Sequence, residues 1–212
     1  MKEAGEDSTE SIRRTEYYVL DGGSLLHRVP WNKGDSYGAI AESYADFAIR
    51  RYGVATVVFD GYTGGPSIKD NTHQRRLGQK VHPVVSFTAE TEFAGKKEEF
   101  LSRDSNKQGL IDLISGELRK RGCHVINSPG DADVDIAKAA VEASRYRATT
   151  LIGEDTDLLV LLLFYAQPDS KDLYFQSDKS TATTVYHINS IMSALGNKLC
   201  SQLLFICPIA IA

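Results

Sequence analysis

Four short acidic segments, each closing or following an apolar run, constrain this chain most. They read VLDGG at Asp21, VVFDG at Asp60, SPGDADVD at Asp131, Asp133 and Asp135, and LIGEDTD at Glu154, Asp155 and Asp157. The run VATVVF ahead of Asp60 is continuous, apolar and β-branched. Such a run marks a strand buried on both faces, as in a parallel sheet between helical layers. Residues at the carboxyl ends of such strands gather at one edge of the sheet. Bare carboxylates gathered there repel, at about 4 kcal/mol for one close pair under surface-like screening. The cluster therefore calls for cations. Hard divalent ions with oxygen ligands suit it, and two side by side suit phosphodiester hydrolysis.

The rest of the pattern alternates strands and helices. EYYVL (16–20) predicts a strand ending at Asp21, after which Gly22 and Gly23 permit an unusual backbone and let GGSLLHRVPW turn away. A helix is expected over 37–52, with Ala41, Tyr44, Ala45, Ala48 and Ile49 on one face and Gly53 as its stop. An amphipathic helix is expected over 110–122 and an alanine-rich one over 131–147. CHVINS, TTLIG and DLYFQS read as strands; LLVLLLFYA, HINSIMSALG and NKLCSQLLFI read as helices. KDNTHQRRLGQK reads as a basic helical segment, and 81–106 shows no clear period. The alternation predicts a three-layer α/β/α domain with a mainly parallel central sheet. Residues 1–15 read as a disordered leader and 16–212 as one domain.

The whole chain, 212 residues, carries a net charge of -4, but its distribution is uneven. Residues 131–157 hold seven acids against Lys138, Arg145 and Arg147, a net -4. Residues 64–80 hold Lys69, Arg75, Arg76 and Lys80 against Asp70, a net +3. An acidic pocket beside a basic flank suits work on a polyanion, since the flank attracts phosphate and cations neutralise the pocket. The three cysteines form no CxxC pair. That argues against a disulfide framework or a zinc site and for a reducing, intracellular setting, nuclear or cytoplasmic. No secretory signal or membrane-length apolar stretch is present in the sequence.

Each acid also has a plainer reading. Asp21 and Asp60 could cap turns. The acids of SPGDADVD could satisfy the free N–H groups and dipole of a helix start, and Ser128 and Asp131 have capping-box spacing. If the helix includes Asp131, then Asp131 and Asp135 share a face; if Asp131 precedes it, Asp131 and Asp133 can both face the strand ends. LIGEDTD is the sharpest signal: three acids within four residues separate two apolar runs, where one cap would suffice. Lys69 and Arg76 are seven apart and would share a helical face. The five histidines show no metal-ligand spacing and read as structural or surface residues. No phosphate loop or nucleophile elbow is present.

Taken in order over 16–165, VLDGG, VFDG, the basic segment, SPGDAD and GEDTD resemble the flap-endonuclease/XPG-type nucleases of the PIN-like superfamily. The resemblance implies a PIN-like fold and two Mg²⁺ or Mn²⁺ ions held by Asp21, Asp60, Asp131, Asp133, Asp155 and Asp157. Asp131 and Asp133 stand where the family's P-x-E-A-E pattern has glutamates. The resemblance makes Lys69 and Arg76 the catalytic pair at the scissile phosphate. Lys69, Arg75, Arg76 and Lys80 would bind nucleic acid, DNA or RNA, with flaps or junctions as substrates. The family continues to a Gly-Cys-Asp segment with a further ligand and then a helix-hairpin-helix. Here LLFI is followed by CPIAIA, so the domain reads as incomplete at its C-terminus. Residues 203–212 carry no charge and call for burial or a protein partner. The alternative is a catalytically impaired nucleic-acid- or protein-binding module on the same fold. A third reading is a receiver-type domain with Asp60 as phosphoacceptor.

Overall fold

The computed structural model describes residues 15–62, 84–179 and 182–206. The basic segment with Lys69, Arg75, Arg76 and Lys80, the leader up to residue 14 and the last six residues lie outside them. A six-stranded sheet runs through the middle. Its strands are β1 (Tyr17–Asp21), β2 (Thr56–Phe59), β3 (His124–Asn127), β4 (Thr149–Gly153), β5 (Leu173–Lys179) and β6 (Ala182–His187), in the order β3-β2-β1-β4-β5-β6. Every pairing is parallel except β5 with β6. The chain steps from β1 outward through β2 to β3, then returns to the other side of β1 with β4. That reversal makes a switch point between β1 and β4, where the connections diverge and leave a crevice at the carboxyl ends of the strands.

Alternation along each strand builds two cores. Leu20, Val57, Phe59 and Ile152 face one side, among Ile40, Tyr44, Ala48, Leu110, Ile114 and Leu118. Val19, Val58, Leu151 and Phe175 face the other, among Ile136, Ala140, Leu158, Leu161 and Leu162. The first core is roofed by α2 (Tyr37–Tyr52) and α4 (Asp104–Lys120), and the second by α5 (Asp133–Ser144) and α6 (Thr156–Tyr165). This is the three-layer α/β/α architecture expected from the sequence. Helix α2 has its expected bounds: Ser36 caps its start by accepting from the Ala39 N–H, and Gly53 ends it at φ 69°.

Several elements differ from expectation. GGSLLHRVPW does not simply turn away: α1 (Gly22–Arg28) starts directly after β1, capped by Asp21, which accepts from the Ser24 N–H. Gly22 and Gly23 are not among the glycines with positive φ. Gly22 is there for space, because a Cβ would overlap the Phe59 ring and stand 2.6 Å from the Val58 carbonyl oxygen. Helix α4 begins at Asp104, six residues before the amphipathic repeat that predicted it, and a short α3 (Lys97–Leu101) precedes it. Buried Asn106 explains the early start: it accepts from the Val85 N–H and donates to the Phe100 carbonyl, tying polar sequence into the fold. Strand β6 was not foreseen, since an edge strand that is half exposed carries little apolar signal. The last predicted helix is two short turns after α7 (Ile188–Leu195), namely α8 (Asn197–Cys200) and α9 (Leu203–Ile206). Cys123 and Cys200 are buried free thiols. Among the described residues no helix is long and apolar enough to cross a membrane.

Candidate functional site

Each acidic segment sits at the carboxyl edge of the sheet because each follows a strand of its parallel part. Asp21 ends β1, Asp60 follows β2, Asp131 lies between β3 and α5, Asp133 opens α5, and Glu154 and Asp155 follow β4. All six carboxylates line one open cavity of about 590 Å³. Parallel registers bring these ends level: Asp21 pairs with Val58, and Leu20 with Ile152. Leu26, His27, Tyr62, Leu101 and Lys107 complete most of the wall.

Backbone and hydroxyl donors hold the acids. Asp21 Oδ1 accepts from the Ser24 N–H at 3.2 Å. Asp60 Oδ1 accepts from the Ala132 N–H at 2.9 Å, and its Oδ2 from the Tyr62 hydroxyl at 3.0 Å. Asp131 Oδ1 accepts from the Asp133 N–H at 3.1 Å, and Asp155 Oδ1 from the Asp157 N–H at 3.0 Å. Gly61 lets β2 approach the loop after β3: its N–H donates to the Gly130 carbonyl at 2.9 Å, and a Cβ there would collide with the Ser128 carbonyl oxygen. That close approach sets Asp60 beside Asp131 and Asp133. Helix α5 starts at Asp133, so Asp131 precedes it, the arrangement in which Asp131 and Asp133 both face the strand ends. The capping-box spacing of Ser128 and Asp131 is not used; the Ser128 hydroxyl donates to Asp135 Oδ2 at 2.6 Å.

Burial leaves its mark on Asp21. Burial raises its pKa from 3.8 to about 6 against the hydrogen bond from Ser24, and the nearby Asp60 and Glu154 carboxylates raise it further. Glu154 is partly neutralised by Arg28, whose guanidinium donates to Oε1 at 3.3 Å. Burial lowers the pKa of His27, and the ammonium groups of Lys97 and Lys107 lower it further, against the opposing pull of Glu154 and Glu98.

The six clustered carboxylates supply the oxygen donors that Mg²⁺ or Mn²⁺ prefers. The space between two of them is kept open by Gly23, where a Cβ would come within 3.2 Å of Asp21 Oδ1 and 3.5 Å of Asp60 Oδ2. Yet among the described residues no three His, Cys, Asp or Glu side chains converge as a ready metal-binding group. The fit lies in donor type and shared cavity, not in a formed coordination shell.

Of the six expected ligands, Asp21, Asp60, Asp131, Asp133 and Asp155 line the cavity. Asp157 does not; it lies in the first turn of α6, and Glu154 occupies the wall instead. Lys69, Arg75, Arg76 and Lys80 lie outside the described residues. His27, expected to be structural or superficial, is on the wall, as are Tyr62 and Lys107, which sequence reasoning passed over. The signal for His27 was its place six residues after Asp21, in reach of the cavity once α1 is helical. Lys107 had no such signal, because its helix was expected to begin at residue 110.

The sequence matches no family profile and no curated protein. The fold is similar to those of several solved structures. One is the catalytic core of Rad2 in complex with DNA substrate (14% identity, TM-score 0.46, covering 93% of this chain and 59% of that one). Another is the Holliday junction-resolving enzyme GEN1 in complex with product DNA and Mg²⁺ (14%, 0.43, 97% and 48%). A third is the eukaryotic junction-resolving enzyme GEN-1 with potassium (16%, 0.41, 89% and 35%). The chain thus spans between about a third and three fifths of these structures' lengths. The likeness is one of fold, and no residue's role follows from it.

Proposed function

We propose that this chain is a divalent-metal-dependent nuclease that hydrolyses phosphodiester bonds of DNA or RNA, with flaps or junctions as the favoured substrates. The observation that carries the reading is the meeting of six carboxylates from four successive strand ends in one cavity. Asp21, Asp60, Asp131, Asp133 and Asp155 would hold two Mg²⁺ or Mn²⁺ ions, with Asp157 as a further candidate. The ions would supply Lewis-acid stabilisation and a lowered pKa for attacking water.

The protein's own part is to hold and orient. Amide donors from Ser24, Ala132, Asp133 and Asp157 fix the carboxylates without neutralising them. Burial and the neighbouring Asp60 and Glu154 carboxylates raise the pKa of Asp21, a cost that an added positive charge would relieve. Lys107, on the cavity wall, places a positive charge where a phosphate would approach. Lys69 and Arg76 are proposed to orient the scissile phosphate by electrostatic stabilisation, with Arg75 and Lys80 adding to nucleic-acid binding.

The purified chain, offered flap, junction, single-stranded and RNA substrates, is expected to cleave at least one with Mg²⁺ or Mn²⁺ and none with a chelator. Absence of metal-dependent cleavage, or intact cleavage by Asp155→Asn, would sink the proposal. The second reading, a binding module on the same fold, is favoured by the lack of three converging ligands among the described residues. Binding that survives chelation, with no cleavage, would select it.

A further inference from the structure

Asp60 is held at both oxygens. Its Oδ1 takes an amide N–H, as Oδ1 of Asp21, Asp131 and Asp155 does, and its Oδ2 takes a phenol: the Tyr62 hydroxyl, at 3.0 Å. Tyr62 is itself fixed on two further sides. Its N–H donates to Gln108 Oε1 at 3.0 Å, and the Lys107 ammonium sits 4.1 Å from its ring centroid. Lys107 and Gln108 are neighbours in the first turn and a half of α4, so a packed helix anchors the short loop after β2.

A hydroxyl donor orients a carboxylate without cancelling its charge. Glu154 shows the contrast, since its partner Arg28 brings a full positive charge. Both Asp60 oxygens are held by neutral donors, which fix the group's rotation without placing a competing positive charge beside it. Hydrogen bonds of this kind to metal-ligating carboxylates set ligand geometry, and losing one typically costs 10- to 100-fold in metal affinity.

We propose that Tyr62 is a positioning residue: its hydroxyl fixes Asp60 for a divalent cation, and Lys107 and Gln108 hold Tyr62 in place. The inference rests on the metal-dependent reading above.

The test is Mn²⁺ binding to the full chain, followed by the loss of the free-ion EPR signal. Wild type, Tyr62→Phe, Asp60→Asn and the double variant are compared, with thermal melting of each metal-free protein as the check on folding. Tyr62→Phe keeps the ring, the backbone N–H and the Lys107 contact, and removes only the donor. It is expected to weaken Mn²⁺ binding about tenfold. In the Asp60→Asn background the same change is expected to have less than about a twofold effect, because the two residues act through one bond. Unchanged affinity in Tyr62→Phe overturns the inference, as does an equal loss with and without the Asp60 carboxylate. A wild-type chain that binds no Mn²⁺ overturns the metal reading itself and this inference with it. A wild-type chain that binds, beside an unaffected Tyr62→Phe, overturns this inference alone.

Discussion

Asp21 and Asp60 flank one empty position: Asp21 Oδ1 lies 3.2 Å and Asp60 Oδ2 3.5 Å from where a Cβ on Gly23 would stand. The gap belongs to the space between two carboxylates, and it exists because residue 23 has no side chain. In an alanine at this position the methyl would enter it. Ala favours a helix over Gly by roughly 1 kcal/mol, which offsets the crowding of the Asp21 carboxylate. Gly23→Ala is therefore expected to fold with a thermal midpoint near wild type while losing Mn²⁺ affinity about tenfold or more, an estimate on the scale set by disturbed metal ligation. Paired melting and Mn²⁺ titration check it; wild-type metal affinity in a folded Gly23→Ala would refute it.

Asp21 makes stability pH-dependent in a defined direction. Burial raises its pKa to about 6 in the folded chain, against an ordinary value of 3.8. The folded state therefore binds the proton more tightly than the unfolded state does. Its contribution is complete below the unfolded value and is lost as pH rises through about 6. The loss is on the order of 1–3 kcal/mol. Without metal, Asp21→Asn is expected to be more stable than wild type at pH 7.5, with the difference shrinking toward pH 4. Urea melts across that range measure it. A difference that grows as pH falls would contradict the assignment.

Asp155 has a structural duty as well as its proposed chemical one. Its Oδ1 caps α6 by accepting from the Asp157 N–H. Asparagine keeps an acceptor there; alanine does not, and losing such a cap costs about 1 kcal/mol. Asp155→Asn is expected to melt as wild type and Asp155→Ala to be less stable, while both lose metal-dependent cleavage. Equal stability of the two variants would remove the capping role.

The floor of the site depends on Tyr44. This fully buried residue of α2 donates its hydroxyl to the Leu26 carbonyl at 2.6 Å and accepts from Trp31 Nε1 at 2.8 Å. Leu26 belongs to α1 and lines the cavity. Tyr44→Phe would leave a buried acceptor and a partly buried donor unmatched, at a cost of about 2–4 kcal/mol. Chemical denaturation is the measurement, and a loss below about 1 kcal/mol would show that the two groups find other partners.

Local signals were enough for much of this protein. Continuous apolar runs ending in acids identified β1, β2 and β4 and placed Asp21, Asp60 and Asp155 at one sheet edge, because parallel strands buried on both faces leave no other pattern. Periodicity found α2 with its stop at Gly53. What tertiary structure decided is which side chains meet there. Glu154 rather than Asp157 reaches the cavity wall, because α6 begins at Thr156 and carries Asp157 into its first turn. Tyr62 meets Gln108 across 46 residues, and Asp60 meets Ala132 across 72. Contacts of that span follow from how helices dock on the sheet, and nothing in the residues beside Tyr62 or Lys107 encodes where a distant helix will begin.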